Sequence, residues 1–292
     1  MTGSQRGAEF FFSILTIWFL FWPCVASVYR DRLQHDWKGE NFFDAWQFFT
    51  ESDPTHSCVQ YVSKAEAETY GLINTTSSTA RIGVDTANIY SSCWFPSGRK
   101  SVRIESIPRF NEGLFVLDIE HMPTGCGTWP AWWSYGDEWP NNGEIDVIEN
   151  VHTATHNHMR LHTNQGCDMG AVSDSGANDE WAQFEGEWNT GWNGQPADNC
   201  YINAEGQYGN QGCSIADTVS STSFGEAMNS AGGGVMVHEW LPEHGIRFWW
   251  FERSAIPSDV QNGNPDPSNW GTPVASFPFG DHCPFTHFKG TM

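Results

Sequence analysis

The stretch Gly143-Glu144-Ile145-Asp146-Val147-Ile148-Glu149-Asn150 constrains this chain more than any other, because it interleaves carboxylates with β-branched residues. Such side chains pack well on a pleated surface and lose freedom in a helix, so the run reads as a strand. Successive side chains on a strand point to opposite faces. Glu144 and Asp146 therefore lie together, while Glu149, five residues after Glu144, falls on the reverse. One extra residue between Asp146 and Glu149, a β-bulge, restores the parity, bends the strand and puts all three acids on one face. The plainer alternative is an acidic edge strand turned to solvent.

Aromatic residues tilt the balance away from that alternative. Gly127-Thr128-Trp129-Pro130-Ala131-Trp132-Trp133 and Trp139-Pro140-Asn141-Asn142 gather indoles just ahead of the acids, and indoles suit the apolar faces of sugar rings. Two carboxyls about 5 Å apart across a scissile bond are what retaining glycoside hydrolysis requires, one as nucleophile and one as acid and then base. By strand parity Trp129 and Trp133 share one face and Trp132 takes the other, so these three divide between core and cleft.

Other short apolar runs repeat the strand habit. Asn41 to Phe49, Ser101 to Ser106, Gly113 to Ile119, Met159 to His162, Gly234 to Trp240 and Ile246 to Phe251 all read as strands or strand edges. Turn signals at Asn193-Gly194, Asn262-Gly263 and Asn229 to Gly234 separate them, and no sustained helical period appears. An all-β sandwich follows. The polar segment Gln165 to Asn210 carries Asp168, Asp174, Asp179, Glu180, Glu185 and Glu187 and reads as a long loop, either a cleft wall or a cystine-stapled excursion.

A formal charge of −21, from 35 acids against 14 Lys plus Arg, repels phosphate backbones and anionic lipid, so no nucleic-acid partner is expected. Sixteen Trp against seven Tyr suits a neutral polysaccharide, although most such rings fill cores. At the N-terminus, Arg6 precedes a 13-residue apolar run from Phe10 to Trp22 and small residues at Ala26 and Ser27. A spanning helix needs about 20 residues, so residues 1–27 read as a signal peptide rather than a stable membrane anchor.

Eight cysteines fit an oxidising compartment and a secreted, extracellular chain. Cys24 would leave with the signal peptide, and the remaining seven leave one free thiol or an intermolecular bridge. Asn74-Thr75-Thr76 is an N-glycosylation acceptor. His152, His156, His158 and His162 invite a metal reading, but Arg160 stands between His158 and His162 on one strand face, and a fixed cation there disfavours a dication.

Taken with Leu161-His162-Thr163, the indole clusters and the acid run resemble the fungal-type endo-β-glucanases of glycoside hydrolase family 16, in the laminarinase and lichenase branch. Weaker resemblance runs from about Tyr29 through Phe248-Trp249-Trp250-Phe251 and Ile256-Pro257-Ser258-Asp259. The resemblance implies one catalytic domain over 28–292, a jelly-roll β-sandwich of two antiparallel sheets with a concave substrate groove. It implies Glu144 as nucleophile, Glu149 as acid and base, and Asp146 as the residue that hydrogen-bonds and orients Glu144.

The same resemblance places His162 on the neighbouring strand, against the acids or the sugar. It nominates Trp132, Trp133 and Trp139 as sugar-binding residues, with Trp249 or Trp250 further along the groove. The implied activity is secreted, monomeric, cofactor-free cleavage of internal β-1,3 or mixed β-1,3-1,4 linkages in β-glucan, with no metal in the site and a structural calcium left open. A β-glucan-binding protein of the same fold and a transglycosylase are the alternatives. Family members continue beyond the segment resembling Cys283-Pro284-Phe285-Thr286-His287-Phe288 through another strand and a cysteine, so a truncated C-terminus is also expected.

Overall fold

The computed structural model describes residues 33–91, 98–170 and 180–288, all within the unit Leu33–Met292. The expected signal peptide, Cys93 and the middle of the long polar segment lie outside the described residues. In chain order the strands are β1 (Trp46–Phe48), β2 (Val59–Tyr61), β3 (Ile73–Thr75), β4 (Ala80–Ile82), β5 (Arg99–Ser101), β6 (Ile104–Ser106) and β7 (Gly113–Ile119). They continue as β8 (Ala131–Tyr135), β9 (Glu144–Glu149), β10 (His158–His162), β11 (Glu187–Trp188), β12 (Cys213–Ala216), β13 (Gly234–Leu241), β14 (Gly245–Glu252) and β15 (Ala275–Pro278).

Two sheets form the sandwich. One has the order β11-β12-β10-β9-β8, the other β15-β14-β13-β7, and every pairing within them is antiparallel. Alternation along each strand decides what meets in the middle. Ile145, Ile148, Met159, Leu161 and Ile215 come from the first sheet, and Met236, Trp240, Ile246, Phe248, Trp250 and Phe277 from the second, into one apolar cluster. A smaller cluster of Phe43, Val62, Ala67, Leu72 and Ile73 packs beneath the N-terminal strands.

The same alternation corrects one expectation. Trp249 and Trp250 lie on β14, in the sheet that does not carry the acids, so neither extends the groove floor. Trp250 is in the core, while Trp249 packs on the other side of its sheet against Trp270 and Arg247.

The long polar segment proves to be stapled. Cys167 bonds Cys283 and Cys200 bonds Cys213, tying the segment to the chain's last described turn and to the start of β12. Cys58 is also disulfide-bonded. Among the described residues the free thiol is Cys126, which is exposed, so the odd cysteine falls beside Trp129 and not at the C-terminal segment, where Cys283 is paired.

Candidate active site

Strand β9 carries the acids, and its pairing with β8 slips once. Trp132 opposes Ile148 and Trp133 opposes Asp146, which leaves Val147 as the extra residue of a bulge between Asp146 and Glu149. The bulge turns Glu149 to the face already occupied by Glu144 and Asp146. Ahead of the strand, Gly143 has φ of 74°, and a Cβ there would lie 2.5 Å from the His287 carbonyl oxygen and 2.6 Å from the Phe288 ring. Only glycine tolerates both the left-handed backbone and that close approach.

The neighbouring strands complete the acid-bearing face. Trp133 and Tyr135 join it from β8, opposite Asp146 and Glu144. Arg160 and His162 join it from β10, again opposite Asp146 and Glu144, with His158 two residues before Arg160 on the same side. Ser214 of β12 stands opposite Arg160.

Each outer carboxylate is held by an indole N–H. Trp139 donates to Oε2 of Glu144, and Trp129 donates to Oε1 of Glu149 at 2.8 Å. Both rings are partly open to solvent, at 41% for Trp139 and 52% for Trp129, so one end of each indole is bonded to an acid and the rest is free to meet a ligand. Trp139 enters its turn through a cis peptide bond to Pro140.

The central acid is enclosed. Asp146 is 1% exposed and His162 5%, with Nε2 of His162 3.1 Å from Oδ2 of Asp146. Burial raises the Asp146 carboxyl well above its ordinary range, and the charge of Glu149 adds to it, against a smaller opposing pull from Arg160. Burial also lowers the His162 ring, partly countered by Glu144 and Glu149. Glu144 is pushed up to about 8, by burial first and by the adjacent Asp146 second. In the ligand-free site the retained proton therefore belongs to the Glu144 and Asp146 pair.

Glu149 meets a cation. Nη1 of Arg160 donates to Oε2 of Glu149, while Nε donates to Oγ of Ser214 at 3.1 Å and Nη2 lies 2.8 Å from Nδ1 of His158. Burial, reinforced by Arg160, lowers His158 to about 4, so its ring is neutral at working pH and accepts from the guanidinium.

One residue nominated for sugar binding faces away from the acids, and His162 takes the first of its two expected places, against the acids rather than the sugar. Trp132 takes the parity of Ile148 and packs against the core cluster and the Trp46 ring, so it faces the interior rather than the groove. His162 is too enclosed for a first contact with substrate and instead touches Asp146. Trp133 stays on the acid face, stacked on Tyr135 with ring centroids 4.9 Å apart and with the Arg103 guanidinium 5.1 Å from its ring. Sequence reasoning missed Arg160 as a partner of Glu149, although its parity with His162 was already visible.

The histidines do not converge on an ion. His152 accepts from the Gly127 backbone N–H at Nδ1, His158 faces Arg160 and His162 faces Asp146. Among the described residues, one group has the spacing of a cation site: Glu144, Asp146 and His162, whose polar atoms lie within 4.8 Å of one another.

An antiparallel sandwich whose sheet face carries three acids on one bulged strand, flanked by indoles, has the arrangement of a glycosidase. The chain belongs to glycoside hydrolase family 16: a family model described as the XgeA-like catalytic domain matches residues 46–291. It is similar to an endo-1,3(4)-β-glucanase of Arthroderma benhamiae, 41% identical over 253 residues that make up 86% of this chain and 50% of that protein. The chain spans about half the length of the curated relatives it matches.

Two solved structures share the fold. Laminarinase 16A of Phanerochaete chrysosporium, with β-glucans in donor and acceptor sites, is 34% identical with a TM-score of 0.76, over 88% of this chain and 80% of that one. An elongating family 16 β-1,3-glucosyltransferase is 37% identical with a TM-score of 0.73, over 87% and 77%.

Proposed function

We propose that this chain is the catalytic part of a secreted endo-β-glucanase that cleaves internal β-1,3 or mixed β-1,3-1,4 linkages with retention of configuration. The observation that carries the reading is the bulge at Val147, which brings Glu149 to the face of Glu144 and Asp146. Similarity to the glucanase and to the laminarinase supports the substrate class. The disulfides support an oxidising compartment, and Asn74 is exposed on β3, where an extracellular glycan has room. No helix of the described residues is long and apolar enough to cross a membrane.

In the first half-reaction Glu149, having taken a second proton from solvent as its contact with Arg160 loosens, gives that proton to the departing oxygen while the Glu144 carboxylate bonds to the anomeric carbon and the glycosidic C–O bond breaks. Asp146 keeps the shared proton and donates it toward Glu144, orienting the nucleophile and allowing it to be ionised in a buried place. In the second half-reaction Glu149 takes a proton from water, whose oxygen displaces Glu144 from the sugar. Trp129 and Trp139 fix the two outer acids and present ring surface to sugars on either side. The reaction as written uses no cofactor.

Reducing-end release from laminarin and barley β-glucan tests this reading, with Glu144→Gln as the control. Activity that the substitution abolishes is the expected result. Binding of either glucan without release of ends would instead identify a glucan-binding protein. The glucosyltransferase likeness favours one further reading, transfer to a sugar hydroxyl in place of water, which would appear as products longer than the starting oligosaccharide.

A further inference from the structure

Arg160 is held from three sides. Its guanidinium reaches Glu149, the neutral ring of His158 and the hydroxyl of Ser214, which come from β9, β10 and β12. Its side chain is largely enclosed, with 22% relative exposure against 13% for Glu149, so water screens the contact weakly. Trp129 takes the other oxygen of the same carboxylate. Both oxygens of Glu149 thus have fixed donors, whereas a carboxyl that must protonate a leaving group needs one oxygen to carry a proton.

We propose that Arg160 is a positioning residue that holds Glu149 through Oε2 and favours the base half of the catalytic cycle over the acid half. The inference rests on the hydrolase reading above for its catalytic meaning, though not for its physical content. When Glu149 acts as acid, the Arg160 contact must loosen from Oε2 before the proton moves to the glycosidic oxygen. When it acts as base, the contact is already in place. The acceptor's O–H proton passes to Glu149 as its oxygen bonds to the anomeric carbon and the ester bond to Glu144 breaks.

The other titratable groups around Glu149 are Asp146 and Glu144 on β9 and His158 and His162 on β10. β12 offers the Ser214 hydroxyl, and Trp129 has no ionisable group. The Glu144 and Asp146 pair retains a proton, and His158 is neutral. Arg160 is the cation in direct contact with Glu149.

The test follows the Glu149 carboxyl by NMR in protein carrying ¹³C-labelled glutamate side chains, with Glu149→Gln identifying its signal. Arg160→Gln is compared with the parent, and Arg160→Met is run beside it so that the result does not hang on one variant folding. The midpoint of the Glu149 titration is expected to rise by about one pH unit or more in either variant, as removing a close opposite charge requires. Arg160→Lys, which keeps the charge but loses the planar fork, is expected to recover part of that change. An unchanged midpoint in both neutral variants would overturn the proposal, whether or not the protein cleaves glucan.

Kinetics separate this from the hydrolase reading. On glucan, the basic limb of the kcat/KM profile should move upward in Arg160→Gln. With an aryl glycoside whose leaving group needs no acid, turnover at low pH should fall instead. A titration shift in a protein that hydrolyses nothing would leave the clamp standing and sink the glucanase assignment. Equal losses on both substrates, with neither profile moved, would show Arg160 to be a packing residue and overturn the proposal.

Discussion

His162 and Asp146 meet at 3.1 Å with both side chains shut away from water, and the burial that raises the acid lowers the imidazole. The contact is therefore one between neutral partners, not an ion pair. Two of the three acids share a proton, and the third faces Arg160.

The indole contacts predict a split between activity and stability. Trp139→Phe and Trp129→Phe keep an aromatic ring but remove the N–H that holds Glu144 or Glu149. Hydrogen bonds to charged groups contribute about 1.5–3 kcal/mol, so kcat/KM on laminarin should fall roughly 10- to 100-fold in each. Because both rings are partly exposed, the urea midpoint should barely move. A loss of stability matching the loss of rate would show that these residues serve packing.

Gly143→Ala should be costly out of proportion to its size. The substitution strains a residue at φ of 74° and drives a methyl to within 2.5 Å of the His287 carbonyl. Left-handed backbone in a non-glycine residue costs on the order of 1–3 kcal/mol, before any clash is counted. At about 2–4 °C per kcal/mol for a domain of this size, Tm should fall by at least about 5 °C. Differential scanning calorimetry reads this directly, and an unchanged Tm would mean that the turn before β9 moves freely.

The face of the acids was legible because strand parity is a short-range rule. E-x-D followed by a third acid at an awkward spacing required a bulge, and Val147 supplies it. Strands β7, β10, β13 and β14 were legible for the same reason, since their apolar runs are long and bounded by turns. Parity also showed that Trp132 opposes Trp129 and Trp133, but deciding which face is core needs the partner sheet. Favouring Trp132 for sugar binding chose the wrong face. The Arg160 to Glu149 contact depends on the register between β9 and β10, which no local pattern fixes. One local signal was passed over. Ser63 and Glu66 form a capping box that starts a short helix, Lys64–Thr69, and this motif is readable from sequence alone.

The sheet opposite the acids contains a second buried ion pair. Glu239 on β13 is 1% exposed and accepts from Nη2 and Nε of Arg247 on β14 at 2.6 and 2.8 Å, while the guanidinium lies 3.8 Å from the centre of the Trp181 ring. Arg247→Met removes the cation and leaves a buried carboxylate behind, a change that costs about 3–5 kcal/mol. Glu239→Gln combined with Arg247→Met should recover much of that loss, because no charge is then stranded. Urea midpoints of the single and double variants measure the difference, and a double variant as weak as Arg247→Met would show that packing on Trp181 outweighs the charge.

Glu144 makes the last prediction, and its sign is opposite to that of most carboxylates. Its pKa rises on folding from the ordinary carboxyl value of 4.5 to about 8, through burial first and then the neighbouring Asp146. The folded chain therefore binds a proton that the unfolded chain has released, and stability falls as pH rises between those values. One such proton contributes a slope of at most about 1.4 kcal/mol per pH unit, and the coupling to Asp146 spreads it over the pair. The stabilisation is fully present below about pH 4.5 and is lost as pH rises through about 8. Glu144→Gln removes the titration while keeping the shape, so its stability should decline less between pH 5 and 8 than that of the parent. Parallel urea titrations at pH 5, 6.5 and 8 would decide it: converging curves at low pH that separate in favour of the variant at high pH are expected, and identical slopes would mean that Glu144 is ionised throughout.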